Sequence, residues 1–391
     1  MQQIDRDLQT LDASKDAWAR LPVEHKIDML QALRRSVHAV AADWATAASR
    51  AKGIAAGSPL EGEEWITGPW GVLHGLTCYL RTLRGIAAHG VSPVPRAHRR
   101  PDGRTVVNVF PRSIIPDYVL GSGVRAEVWM QPGVTPEDVP RDAASFYRQN
   151  QPAGRVTLVL GAGNIASIAP LDVLYKMIAD GSVCMLKMNP VNEYLGPILE
   201  RAFASFVDAG FLRFAYGGAD VGSYLCAHDL VTDIHITGSE VTHNAIVAGI
   251  GARKRITSEL GNVSPTIVVP GPWNDEDLRY QALHIATQKA HNAGFNCIAA
   301  QVLVLPKGWE YTEKLPQAIL EVFEQMEQRP EYYPGASQRR TALAGDHTAL
   351  RTIVRVDAAD IENQAFTTET FSGVLVCVEL DGDTETYLRQ A

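Results

Sequence analysis

A doubly wound α/β architecture carrying a protruding antiparallel β-hairpin is the fold this sequence predicts, and three observations predict it. After Gly154 the chain alternates short strands with helices: VTLVL, a helical stretch at 171–178, VCMLK, a helix around 195–207, FLRFAYG and DIHIT. Each strand is nearly continuously apolar, the pattern of a parallel sheet covered on both faces. Before it, TVVNVFP and VRAEVWMQPG alternate apolar with other residues around a Pro/Gly-containing segment, which places an antiparallel pair at about 104–135. Earlier still, from Asp12 to about Ala56, Leu21, Ile27, Leu30, Leu33, Val37, Val40 and Trp44 recur at helical spacing and form a helical lead-in. No chemistry is assigned to its polar faces. The basic, turn-rich run RAHRRPDG at 96–103 is expected to be a solvated loop.

The bulk properties narrow the function classes. With 391 residues, 46% hydrophobic and 20% charged, the chain can bury the cores of two or more domains. A formal net charge of -8 supplies no positive field for nucleic acid or anionic membrane, so the expected partner is a small molecule. The five cysteines (Cys78, Cys184, Cys226, Cys297, Cys377) are scattered without paired spacing, which predicts neither a disulfide framework nor a zinc site. The eleven histidines show no ligand spacing, and no metal is expected. The polar, acidic start and the lack of a long apolar run lead to a cytoplasmic expectation.

The first strand–turn–helix, VTLVLGAGNIA, fits G-x-G-x-x-A through Gly161, Gly163 and Ala166 and resembles a dinucleotide fingerprint. That fingerprint calls for an acidic residue about 20 positions on, where this chain has Lys187 in VCMLKMNP. The ordinary Rossmann reading therefore loses its partner. Four further segments follow in order: Lys187 in a K-x-x-P context, ITGS at 236–239, SELG at 258–261 followed by SPTIVV, and NAGFNC at 292–297. TETFSGV at 368–374 completes the series.

Together these motifs resemble the aldehyde dehydrogenase superfamily from about Gly154 to Leu380. The resemblance implies a Rossmann-like parallel-sheet cofactor domain (1–103 and 136–260), a protruding β-hairpin (104–135) and an α/β catalytic domain (261–391). It implies Cys297 as nucleophile, Glu259 as general base and Asn164 as donor to the oxyanion. Lys187, Ser239, Gly238, Gly163 and Leu260 are the implied cofactor contacts, with Glu369 on the nicotinamide ribose. The chemistry is coherent. A thiolate attacks an aldehyde and leaves a thioester that water can hydrolyse, and a carboxylate can activate that water. Backbone N–H groups around Cys297 are expected to lower its thiol pKa, Glu259 is expected to be partly buried, and Ser239 to open a helix that receives phosphate. Cys184 and Cys377, inside apolar strands, are expected to be inert core residues.

Several positions depart from the family pattern. Phe295 stands for the usual Gln, Val302 for an Arg, Asn262 and His243 for glycines, and Gly163 for a Trp. Met188 to Pro190 replace the Glu that prefers the 2′-hydroxyl of NAD, so NAD and NADP are both admitted. Family members run on beyond the Glu369 motif through a final strand that pairs with a partner subunit, whereas this chain stops at Ala391. A C-terminally short member or fragment is therefore expected, with a homodimer the assembly the resemblance allows. Two alternatives stand beside aldehyde oxidation. One is a CoA-linked acyl reductase of the same fold, against which Glu259 argues; the other is a catalytically silent relative serving as a binding subunit.

Overall fold

The computed structural model describes residues 1–112, 116–250, 253–345 and 349–391; of the expected units, residues 113–115, 251–252 and 346–348 lie outside the described residues. The helical lead-in is α1 (Gln2–Ala19), α2 (Val23–Ala51), α3 (Glu61–Trp65) and α4 (Gly71–His89). Its apolar stripe is buried, with Leu30, Leu33, Val37 and Trp44 each fully enclosed. Burial of such side chains stabilises by roughly 1.5–3 kcal/mol each, which ties the lead-in to the sheet that follows. Trp18 packs between Phe206 and Phe211, with ring centroids 5.8 and 5.1 Å away, and its indole N–H donates to the carbonyl of Met177 at 3.0 Å.

A small antiparallel sheet comes next: β1 (Ala97–Arg99), β2 (Thr105–Phe110) and β3 (Ala126–Trp129), with β2 in the middle. The pair predicted at 104–135 is present, but the basic run before it is partly a strand and not a loop throughout. An edge strand needs only its backbone groups, and Ala97–Arg99 pairs with Thr105–Val107 whatever its side chains. Arg100 then stacks over the exposed Trp129 at 4.2 Å.

The main sheet has five parallel strands, β4 (Val156–Leu160), β5 (Val183–Lys187), β6 (Leu212–Ala215), β7 (Asp233–Gly238) and β8 (Arg255–Leu260), in the order β6-β5-β4-β7-β8. The chain runs outward from β4 in one direction and then returns to build β7 and β8 in the other. A crevice therefore opens at the carboxyl ends of β4 and β7, where strand order reverses. The helix after β4 starts at Ile168, three residues earlier than expected, with Pro170 in its first turn. The helix expected at 195–207 is broken into a 3-10 turn (Pro190–Leu195) and two short helices (Gly196–Ala202 and Ala204–Asp208). Gly196–Pro197 restarts the helix, because Pro suits a first turn and has no N–H to continue an earlier one.

A second parallel sheet is formed by β9 (Pro265–Ile267), β10 (Val302–Pro306), β11 (Thr352–Arg355) and β12 (Val374–Leu380), in the order β11-β12-β10-β9. Cys184 and Cys377 are core residues, at 0% and 1% exposure. Among the described residues no helix is long and apolar enough to cross a membrane, and no three His, Cys, Asp or Glu side chains gather to hold a metal.

Candidate active site

The site begins with a turn. The helix Asp275–Ala290 runs into His291–Gly294, where Asn292, Ala293 and Gly294 take φ of 52, 57 and 84° in succession. Left-handed backbone costs a residue with a Cβ roughly 1–2 kcal/mol, so surrounding contacts must hold the first two. Gly294 is required twice over: by its φ, and because a Cβ there would collide with the carbonyl oxygen of Ser372. The NAGFNC turn therefore lies directly on the TETFSGV segment.

Two asparagine side chains grip the residues that follow. Asn164, in the turn after β4, donates its amide to the carbonyl of Phe295 at 2.9 Å, and Asn262, just past β8, donates to the carbonyl of Cys297 at 2.6 Å. Segments 131 and 35 residues away from their partners in sequence thus meet around one cysteine. Phe295 is fully enclosed against Tyr332, Tyr333 and Phe371, with centroids 5.0, 5.7 and 5.6 Å away. This aromatic cluster explains the departure from Gln, and Asn262 gains a bond that a glycine cannot make.

Cys297 is half-buried. Its thiol pKa is pushed up, first by burial and then by the charge of Glu369, with Glu259 adding to it; the N–H groups of Cys297 and Ile298 pull the other way. The expected lowering is therefore reversed. The N–H groups are in place, but two carboxylates and partial desolvation outweigh them.

Glu369 itself is raised to about 7 by burial, opposed by Lys289 and Arg339. It lies so close to Gly261 that a Cβ there would collide with its carboxylate. Lys289, fully buried behind it, is lowered to about 7 by desolvation, with Glu369 pulling it up; its ammonium reaches Thr370 Oγ1 at 3.0 Å and Gln301 Oε1 at 3.3 Å. Glu369→Gln removes a negative charge facing the thiol, so the Cys297 pKa should fall and its alkylation at pH 7 should speed up about three- to tenfold. Iodoacetamide rates measured across pH 6–10 check this, and an unchanged or slower rate would refute it.

Glu259 is exposed, contrary to the partial burial expected from its neighbours Ile256 and Leu260. It stands near the carboxyl end of β8, an edge strand paired on one side only, with Thr237 as its cross-strand partner. Gly238 and Leu260 are paired at the same rim. Ser239 is exposed there and heads the helix Glu240–Ile250, its Oγ accepting from the Thr242 N–H at 3.3 Å. Lys187 ends β5 and is 7% exposed, its pKa lowered by burial while Glu193 and Asp220 pull it up. An exposed helix start and a lysine at one crevice rim suit an anionic pyrophosphate and a ribose. The glycines of the first turn have a packing reason: a Cβ on Gly161 would sit 2.9 Å from Ala169 Cβ, and one on Gly163 would sit 2.7 Å from Asn189 Oδ1.

Sequence reasoning overlooked Asn292, whose side chain ties the turn together, and Lys289, Tyr332, Lys52, Glu63, Glu64 and Arg329 around it. Asn292 lies inside a recognised motif and could have been singled out. The others sit on helices and loops whose pattern gives no signal of what they face.

The sequence signature of the aldehyde dehydrogenase family matches residues 126–342, more than half of the chain. An aldehyde dehydrogenase of a Fusarium species is 28% identical over 170 residues, and the coniferyl aldehyde dehydrogenase of a Pseudomonas species is 27% identical over 179. These matches cover 43% and 46% of this chain but 35% and 36% of the relatives, so the matched stretch spans about a third of their length. Among solved structures, an aldehyde dehydrogenase from Brucella melitensis biovar abortus superposes with a TM-score of 0.66 at 17% identity, covering 99% of this chain and 74% of that one. A glyceraldehyde-3-phosphate dehydrogenase from Methanocaldococcus jannaschii, complexed with NADP, gives 0.66 at 16% identity, covering 100% and 78%. Those likenesses show the fold, and the family signature, which covers more than half of the sequence, shows the lineage: this chain belongs to the aldehyde dehydrogenase family.

Proposed function

We propose that the protein oxidises a small aldehyde to the carboxylic acid, with Cys297 as nucleophile and a nicotinamide dinucleotide held along the crevice by Lys187, Ser239 and the helix start at Glu240. The observation that carries this reading is the convergence of Asn164 and Asn262 on the two carbonyls flanking the nucleophile position, with the charges of Glu369 and Glu259 close by. Cys297 must give up its proton before attack, and its raised pKa makes a nearby base necessary. Glu369, titrating at about 7, can take that proton at neutral pH. The sulfur then adds to the carbonyl carbon. The second N–H of the Asn164 amide and the N–H of Cys297 are the donors available to the oxyanion. A nicotinamide dinucleotide held by Lys187, Ser239 and the helix start at Glu240 would supply the hydride acceptor for the carbon attached to sulfur. The thioester left on Cys297 is cleaved by a water that Glu259, open to solvent at the rim, deprotonates; the acid leaves and the thiol is restored.

An aldehyde panel with NAD and NADP, wild type beside Cys297→Ala, tests this with acid formation as the readout. Turnover that survives in Cys297→Ala, or that requires CoA and yields no free acid, would reject it. Glu193 and Asp220 both act on Lys187 by charge, so a 2′-phosphate held by Lys187 would meet their repulsion. NAD is accordingly the preferred cofactor, and Glu193→Gln should lower the KM for NADP severalfold while moving that for NAD less; equal changes would sink this point. One observation favours a second reading, a silent relative that binds nucleotide. The raised pKa of Cys297, together with Asn164 already committed to Phe295, suits an unreactive thiol. Nucleotide binding without turnover on any aldehyde would select it.

A further inference from the structure

A cluster of buried charge lies under the nucleophile turn and outside the chemistry described above. Lys52, at the end of α2, and Glu64, in α3, are 2% and 0% exposed and form an ion pair of 2.9 Å. Arg329, 4% exposed, pairs with Glu63 and approaches Glu64 at 3.7 Å. Two buried cations thus meet the buried Glu64 and the partly exposed Glu63. Gly53, next to Lys52, has φ +67° and lies so close to Pro330 that a Cβ would sit 2.6 Å from its Cγ, which holds the end of α2 beside Arg329.

This quartet reaches the turn through one side chain. Asn292 Oδ1 accepts from Lys52 Nζ at 3.1 Å and from the Tyr332 hydroxyl at 3.0 Å. Its Nδ2 donates to the carbonyls of Asn164 at 3.1 Å and Phe295 at 3.0 Å, and its backbone N–H donates to Glu63 at 3.1 Å. Every polar group of that side chain is committed, so its orientation is set by the charges below and passed to the carbonyls above. We propose that Lys52 and Glu64 are positioning residues for Cys297, acting through Asn292 to hold the left-handed turn and, with it, the N–H groups of Cys297 and Ile298 against the sulfur.

The proposal rests on the reading of Cys297 as nucleophile, but its test does not need turnover. In the full chain, Lys52→Met/Glu64→Met removes both charges together and the bond to Asn292, while avoiding a lone buried charge. Asn292→Gly keeps a backbone that accepts φ near 52° and removes only the side chain. The readout is the pH midpoint of Cys297 alkylation, with Cys297→Ala as background, alongside the melting temperature. A midpoint raised by half a unit or more in both variants, with Lys52→Arg near wild type, is the expected result. If aldehyde turnover is found, kcat should fall about tenfold or more with the nucleotide KM within twofold. A folded variant with an unmoved or lowered midpoint overturns the proposal. So does loss of fold in both, which would assign the cluster to stability alone. An absence of turnover, with the midpoint raised as expected, would count against the proposed activity and not against the positioning role.

Discussion

Gly294→Ala should destabilise the protein by about 3 kcal/mol or more, the sum of a left-handed penalty and an overpacking penalty. At φ +84° a Cβ meets steric cost from its own backbone, and here it also strikes the carbonyl oxygen of Ser372. That neighbour is main chain at the entry to β12 and cannot swing aside as a side-chain tip would. To relieve the clash, the turn at 292–297 must part from the segment that carries Glu369. The melting temperature should fall by about 4 °C, and the influence of Glu369 on Cys297 alkylation should disappear. A variant melting with wild type and retaining the response to Glu369→Gln would contradict the packing described.

Glu64→Leu carries the second large effect. The carboxylate is enclosed between Lys52 and Arg329, and its removal leaves two cations without solvent and with only Glu63 as a partner. Breaking a buried pair from one side costs about 3–5 kcal/mol, whereas replacing both members with apolar residues is often neutral. Burial already pulls the Lys52 pKa down, and the charge and hydrogen bond of Glu64 are what chiefly hold it up. The single variant should therefore melt far below Lys52→Met/Glu64→Met. If the two melt together, the ion pair is not what organises this region.

How much of this was visible in the sequence depended on whether the cause was local. Strands β4, β5 and β7 were legible because VTLVL, VCMLK and DIHIT are apolar throughout, a pattern that follows from burial on both faces. β1 was not, because Ala97–Arg99 is held by backbone pairing with β2 and carries exposed basic side chains. The motifs that carry residues 164 and 297 were legible in order along the chain, and the Asn164 amide does reach the carbonyl of Phe295 beside that cysteine. The direction of the Cys297 pKa was not legible, since it turns first on burial and then on Glu369, 72 positions further on and pressed against Gly261. Local sequence shows the N–H groups at Cys297 and hides the opposing charges. The cluster of Lys52, Glu64 and Arg329 was out of reach for the same reason: a lysine closing an amphipathic helix reads as a solvated end unless its partners are known.

The turn at Asn292 is secured by groups drawn from residues 52, 63, 164 and 332, so it cannot acquire its geometry until segments hundreds of positions apart have been brought together. Closing loops of that span is an entropic cost that only a nearly finished body offsets. On a chain whose turn has not yet formed, the sulfur at 297 is free of the burial and of the Glu369 charge that raise its pKa in the folded protein, so its ionisation distinguishes the assembled molecule from the melted one.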